Sequence, residues 1–100
     1  MKHGDRVELV PVKHIGKGLA DDASVMCSFI RYDETSECIY LKVGEKPLED
    51  LSTDVIFNCK IFCDSESVLC TGRIRERYVG VCGKTVCFGI ENGFYKISIN

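Results

Sequence analysis

The sequence predicts an all-β fold, a small antiparallel β-barrel of six to seven strands. Apolar residues recur with a period of two along most of the chain, and no segment shows the 3.6-residue period of an amphipathic helix. Short polar or glycine-bearing stretches separate the alternating runs. A chain of 100 residues supports one modest core. Closure of a sheet into a barrel removes the exposed strand edges that template aggregation, so a barrel over residues 1–100, as one domain, is the economical arrangement.

Each element follows from local pattern. Residues 6–13 (Arg-Val-Glu-Leu-Val-Pro-Val-Lys) place Val7 and Leu9 on one face and Glu8 on the other. Pro11 cannot donate to a ladder, so an edge position is expected for this strand. Residues 14–23 hold two glycines and two aspartates and read as a loop. Residues 24–32 and 37–43 form a hairpin around the polar turn Asp33-Glu34-Thr35-Ser36. Residues 44–54 are acidic, contain Pro47, and leave room for one helical turn within a loop. Val55 to Cys63 is the most apolar strand, and a turn at 64–67 leads to a long strand over 68–78. Gly72 marks a bulge within that strand. Gly80 to Gly83 is a loop, Thr85 to Ile90 a strand, and Phe94 to Asn100 the last strand. Asn92-Gly93 between them carries the signature of a type I′ hairpin turn.

The formal net charge of −2 excludes bulk attraction to nucleic acid or anionic lipid. No apolar run is long enough for a membrane span. The polar start Met1-Lys2-His3-Gly4-Asp5-Arg6 precedes no apolar signal region, so a cytoplasmic location is expected.

The seven cysteines are Cys27, Cys38, Cys59, Cys63, Cys70, Cys82 and Cys87. An odd count argues against a fully paired disulfide framework. No C-x-x-C pair is present. Residues four apart on a strand lie about 13 Å apart, too far for Cys59 and Cys63 to share a tetrahedral ion. No metal and no cofactor are therefore expected, and most thiols should serve as small core hydrophobes that alkylate slowly. A nucleophilic thiol needs a base beside it, and the two histidines, His3 and His14, both lie near the N-terminus. Phosphate loops, dinucleotide fingerprints and nucleophile elbows are missing. The carboxylate pairs Asp21–Asp22, Asp33–Glu34 and Glu49–Asp50 fall in turns. No catalytic residue is assigned and no enzyme activity is expected.

Charge is nonetheless segregated. Residues 33–54 carry a local −5, and residues 73–84 a local +3. Regular alternation would put Arg73, Arg75 and Arg77 on one side of their strand, with Ile74, Glu76 and Tyr78 on the other. Such a row reads either as a solvated face paired with acids or as an anion site. Three arginines give a salt slope of only about −2 to −3, which disfavours nucleic acid as the anion.

The succession Gly4-Asp5-Arg6-Val7-Glu8-Leu9, Ile39-Tyr40-Leu41-Lys42-Val43, Leu48 and Leu51, Val55 to Phe62, and Val68-Leu69-Cys70-Thr71-Gly72-Arg73-Ile74 resembles a known barrel. It is similar to the small split β-barrel beside PilZ domains in bacterial flagellar-brake proteins and, more loosely, to the PilZ barrel itself. That resemblance covers residues 4–78 and implies a bacterial regulatory protein. PilZ receptors for cyclic di-GMP use an R-x-x-x-R arm followed by a D/N-x-S-x-x-G strand. Here Arg73 and Arg77 match the first motif but follow the second, and Val55 stands where Asp50-Leu51-Ser52 would lead to glycine.

The function expected is that of a non-catalytic bacterial regulatory or adaptor barrel. It would act through contact with a protein partner or through self-association. The alternative is a binding module for a small anionic ligand such as cyclic di-GMP at Arg73, Arg75 and Arg77.

Overall fold

Six strands account for the described part of the chain: β1 (Arg6–Pro11), β2 (Val25–Asp33), β3 (Cys38–Val43), β4 (Ile56–Phe62), β5 (Glu66–Gly80) and β6 (Gly83–Ser98). The computed structural model describes residues 1–12 and 24–98. The loop expected at 14–23, with His14, and the end of the last strand at 99–100 lie outside the described residues. Each strand pairs antiparallel with its neighbours, and the order β1-β2-β3-β6-β5-β4 closes back on β1.

Alternation sorts the side chains. Val7 and Leu9 of β1, Cys27 and Phe29 of β2, Ile39 and Leu41 of β3, Cys59 and Ile61 of β4, Cys70 and Ile74 of β5, and Val86 and Phe88 of β6 fill the interior. Each large apolar side chain sealed there contributes about 1.5–3 kcal/mol of transfer free energy. Leu51 is also buried against this cluster, although it belongs to no strand. It follows a single 3-10 turn over Leu48–Asp50, the one helical turn foreseen in the acidic loop.

Three local expectations are corrected by tertiary pairing. Pro11 does not mark an edge, because β1 is flanked by both β2 and β4. Pairing with β2 stops at Leu9, so the missing N–H of Pro11 falls where no ladder bond is needed. Asn92-Gly93 is not a turn: β6 runs on through it, and Asn92 sits opposite Thr71. The 15-residue β5 supplies a partner over this whole length, and that ladder outweighs the local turn preference. The expected sixth and seventh strands are therefore one. The turn at 64–67 is also tighter than expected, since the Cys63 N–H donates to the Glu66 carbonyl and β5 already starts at Glu66.

The bulge expected at Gly72 is present. Register shifts occur between Leu69 and Thr71, between Thr71 and Gly72, and again between Ile74 and Glu76. At Gly72 the backbone of β6 comes so close that a Cβ would run into the Gly89 carbonyl. Side-chain-free backbone on both strands lets the long β5–β6 ribbon bend around the barrel at this point.

Candidate functional surface

The register shift between Ile74 and Glu76 decides where the arginines go. Arg73 lies opposite Gly89 and Glu76 opposite Cys87, both positions on the outer face. Ile74 lies opposite the core residue Phe88 and is buried, and Arg77 lies opposite the core residue Val86 but is itself exposed at the end of the barrel. Arg75 is the extra residue of the bulge. The three arginines therefore do not share one side, which corrects the uninterrupted alternation expected from sequence.

Each arginine finds a different partner within the chain. Arg73 forms a half-exposed ion pair with Glu91, Nε to Oε2 at 3.1 Å. Arg75 lays its guanidinium over the bare Cα of Gly89. Its Nη1 donates to the Ser36 carbonyl and to Cys38 Sγ, each at 3.1 Å. Arg77 Nη1 donates to the carbonyls of Leu48 at 3.2 Å and Leu51 at 2.8 Å, tying the 3-10 turn to the end of the barrel. Lys84 makes a parallel bond to the Lys46 carbonyl at 2.9 Å. Three of these four cations serve as backbone clamps, and they do not converge on one concavity.

A different feature stands out beyond them. Pairing of β4 with β5 ends at Ile56 opposite Arg73, whereas β5 and β6 stay paired to Gly80 opposite Gly83. Beyond the end of β4 the segment Glu76–Gly80 runs on beside β6, and the ribbon is a two-stranded arm only from Val79 to Lys84, because β3 still flanks β6 over Thr85–Cys87. Among the described residues no strand flanks the other edge of Glu76–Gly80. The tip is apolar and open to solvent: Tyr78 is 40% exposed, Val79 75% and Val81 fully. Cys82 beside them is exposed too. Gly83 takes a φ of +106°, the left-handed conformation that lets the chain reverse so tightly here.

The outer side of this arm borders a groove of about 290 Å³. Ile30, Tyr40, Tyr78 and Val81 line it, with Arg31 at one wall. The Arg31 guanidinium stacks on the Tyr40 ring at 4.0 Å from its centroid. A bulge in β2 between Phe29 and Arg31 turns Ile30 toward the outside. The Tyr40 hydroxyl is pushed up from its ordinary pKa, chiefly by the Cys87 thiol paired opposite it, so it stays protonated and able to donate at neutral pH.

The thiols divide by location. Cys27, Cys59 and Cys70 lie in the sealed core, as expected of small hydrophobes. Burial pushes Cys27 up to about 12, and a hydrogen bond to Cys70, followed by burial, raises Cys59. Cys38 and Cys87 are buried on the outer face, and only Cys82 among the described thiols is fully exposed.

Sequence reading singled out the arginines and passed over the arm. The signal was present in Tyr78-Val79-Gly80-Val81-Cys82, where apolar side chains occupy a segment read as a loop. A solvent-facing turn has no core to receive them.

No family model, curated protein or solved structure matches the chain. The closed six-stranded antiparallel barrel is compatible with a small barrel fold. No helix among the described residues is long and apolar enough to cross a membrane.

Proposed function

We propose that the chain is a non-catalytic regulatory or adaptor barrel that works through protein contact, with the β5–β6 arm as the contact element. The observation that carries this reading is the exposure of Tyr78, Val79 and Val81 together at this end of the β5–β6 ribbon. Solvent-facing apolar side chains grouped in this way mark interaction sites more often than isolated ones do. The open edge of Glu76–Gly80 also offers backbone N–H and C=O groups to an extended segment of a partner. The partner so described is a protein that adds a strand here and covers the two valines with apolar side chains. A bacterial, cytoplasmic role of the PilZ-barrel kind is the setting that the sequence resemblance suggests. The ligand alternative draws less support, because Arg73, Arg75 and Arg77 already hold partners inside the chain.

The test uses uniformly ¹⁵N-labelled protein in bacterial lysate. Amide signals from residues 76–83 are expected to broaden selectively, and the double substitution V79K/V81K should restore them without altering the rest of the spectrum. Even intensity along the chain, or broadening that survives the substitution, would overturn the proposal. Sedimentation of the purified protein separates self-association from a foreign partner. Addition of cyclic di-GMP should leave the signals of Arg73, Arg75 and Arg77 in place; localised shifts there would transfer the assignment to an anion-binding module.

A further inference from the structure

Two sets of thiols face each other in the barrel wall, and they differ in what covers them. Cys59 and Cys70 are direct cross-strand partners, sealed inside with Cys27. Cys38 and Cys87 belong to the β3–β6 pair. Cys38 lies opposite Gly89 and Cys87 opposite Tyr40, which makes the two thiols diagonal neighbours on the outer face. They stand within hydrogen-bonding reach of each other. Both are nearly fully covered, at 2% and 4% exposure, yet neither belongs to the core cluster.

The cover over Cys38 is the Arg75 side chain, itself exposed, with Nη1 at 3.1 Å from Sγ. Gly89 leaves the space in which that guanidinium lies. A swing of one surface side chain therefore uncovers Cys38, a fast local motion. The interior thiols are reached only when the barrel opens. The cationic donor beside Cys38 is the electropositive surrounding typical of reactive thiols. Burial, followed by the hydrogen bond that Cys87 shares with Cys38, pushes the Cys87 thiol up to about 11, and Arg75 bonds the Cys38 sulfur alone, which places Cys38 first and Cys87 second.

We propose that Cys38 and Cys87 form a redox pair that closes to a disulfide when the folded chain meets a hydroperoxide. The Cys38 sulfur attacks the terminal peroxide oxygen. The O–O bond breaks, an S–O bond forms, and the thiol proton leaves with the alcohol, giving a sulfenic acid. The Cys87 sulfur then attacks the Cys38 sulfur. The S–O bond breaks, the S–S bond forms, and the Cys87 proton leaves with the hydroxyl as water. Two thiols and one hydroperoxide yield one disulfide, one alcohol and one water. Diagonal neighbours in an antiparallel pair have Cα atoms about 7–8 Å apart, slightly beyond the usual disulfide range of up to about 6.8 Å. Closure therefore draws β3 and β6 together locally, and a bond formed under that pull is readily reduced again. This inference is independent of the protein-contact reading of the arm.

The experiment uses the full chain carrying C82S, which removes the exposed thiol and its intermolecular chemistry. The reduced, folded protein is treated with tert-butyl hydroperoxide at neutral pH and digested without reductant. A loss of two hydrogens, a linked Cys38–Cys87 peptide, and reversal by dithiothreitol are expected. With C87S added, Cys38 should stop at the sulfenic acid and be captured by dimedone; with C38S added, the linked peptide should vanish while circular dichroism still reports the barrel. The proposal is overturned if Cys38 and Cys87 stay reduced. It is equally overturned if they oxidise no faster than Cys27, Cys59 and Cys70, the sign of prior unfolding.

Discussion

At the scale of single residues, two glycines make opposite demands on their surroundings. A Cβ on Gly72 would meet the rigid Gly89 carbonyl, whereas a Cβ on Gly89 would meet the guanidinium end of Arg75, which can move. Gly72→Ala is therefore expected to destabilise the protein by about 3 kcal/mol or more through forced separation of β5 and β6. Gly89→Ala should lose only the Arg75 hydrogen bonds, about 1 kcal/mol. Urea denaturation of the two variants measures the difference, and equal losses would contradict the close approach described at Gly72.

The buried thiols make a second statement at this scale. Cys27 is raised from 9.0 to about 12 and Cys87 from 9.0 to about 11. A raised thiol pKa means that the unfolded chain loses its proton first. Stability attributable to these groups is thus complete below pH 9 and is lost as the pH rises toward 11 and 12. Each pH unit inside that window removes about 1.4 kcal/mol for the deeply buried Cys27. Denaturation midpoints should be flat from neutrality to pH 9 and fall steeply above it. Cys27→Ala should blunt the fall at its most alkaline end.

At the scale of elements, clamps and bulges decide how β5 is used. Arg77 satisfies two loop carbonyls and holds the turn that carries the buried Leu51. Arg77→Met should loosen residues 48–51, seen as faster amide exchange there, and lower stability by about 1–2 kcal/mol. Arg73→Met removes only a half-exposed ion pair and should change stability by less than about 1 kcal/mol. Much of this level was legible in advance. The hairpin of β2 and β3, the 3-10 turn after Pro47 and the bulge at Gly72 all follow from residue type and period. The second bulge did not, because Ile74-Arg75-Glu76 carries no glycine and shows its irregularity only against the register of β6. For the same reason the three arginines read as one row. Slow alkylation was expected for thiols as a class, whereas Cys82 at the arm tip is open to reagent.

At the scale of the whole molecule, one core carries the stability of the barrel. Phe88 is fully buried, on the strand that pairs with both β3 and β5. Phe88→Ala is expected to remove about 3–5 kcal/mol, a large part of the roughly 5–15 kcal/mol that a domain of this size possesses. A calorimetric scan should show a fall of about 4–8 °C in Tm for each kcal/mol lost. Val79→Lys and Val81→Lys, outside the core, should leave the same scan unchanged.

Residue periodicity by itself determined the all-β class and the inward positions of nearly every strand. These depend on which side chains must leave water, and the order of apolar and polar residues states that directly. Tertiary structure alone decided the rest: which strands close the ring, that Asn92-Gly93 stays extended, that Arg73, Arg75 and Arg77 separate, and that β5 outruns β4 to leave an apolar arm. Each of those depends on register between segments far apart in the chain. Register is an energy of pairing two strands, and no single segment contains it.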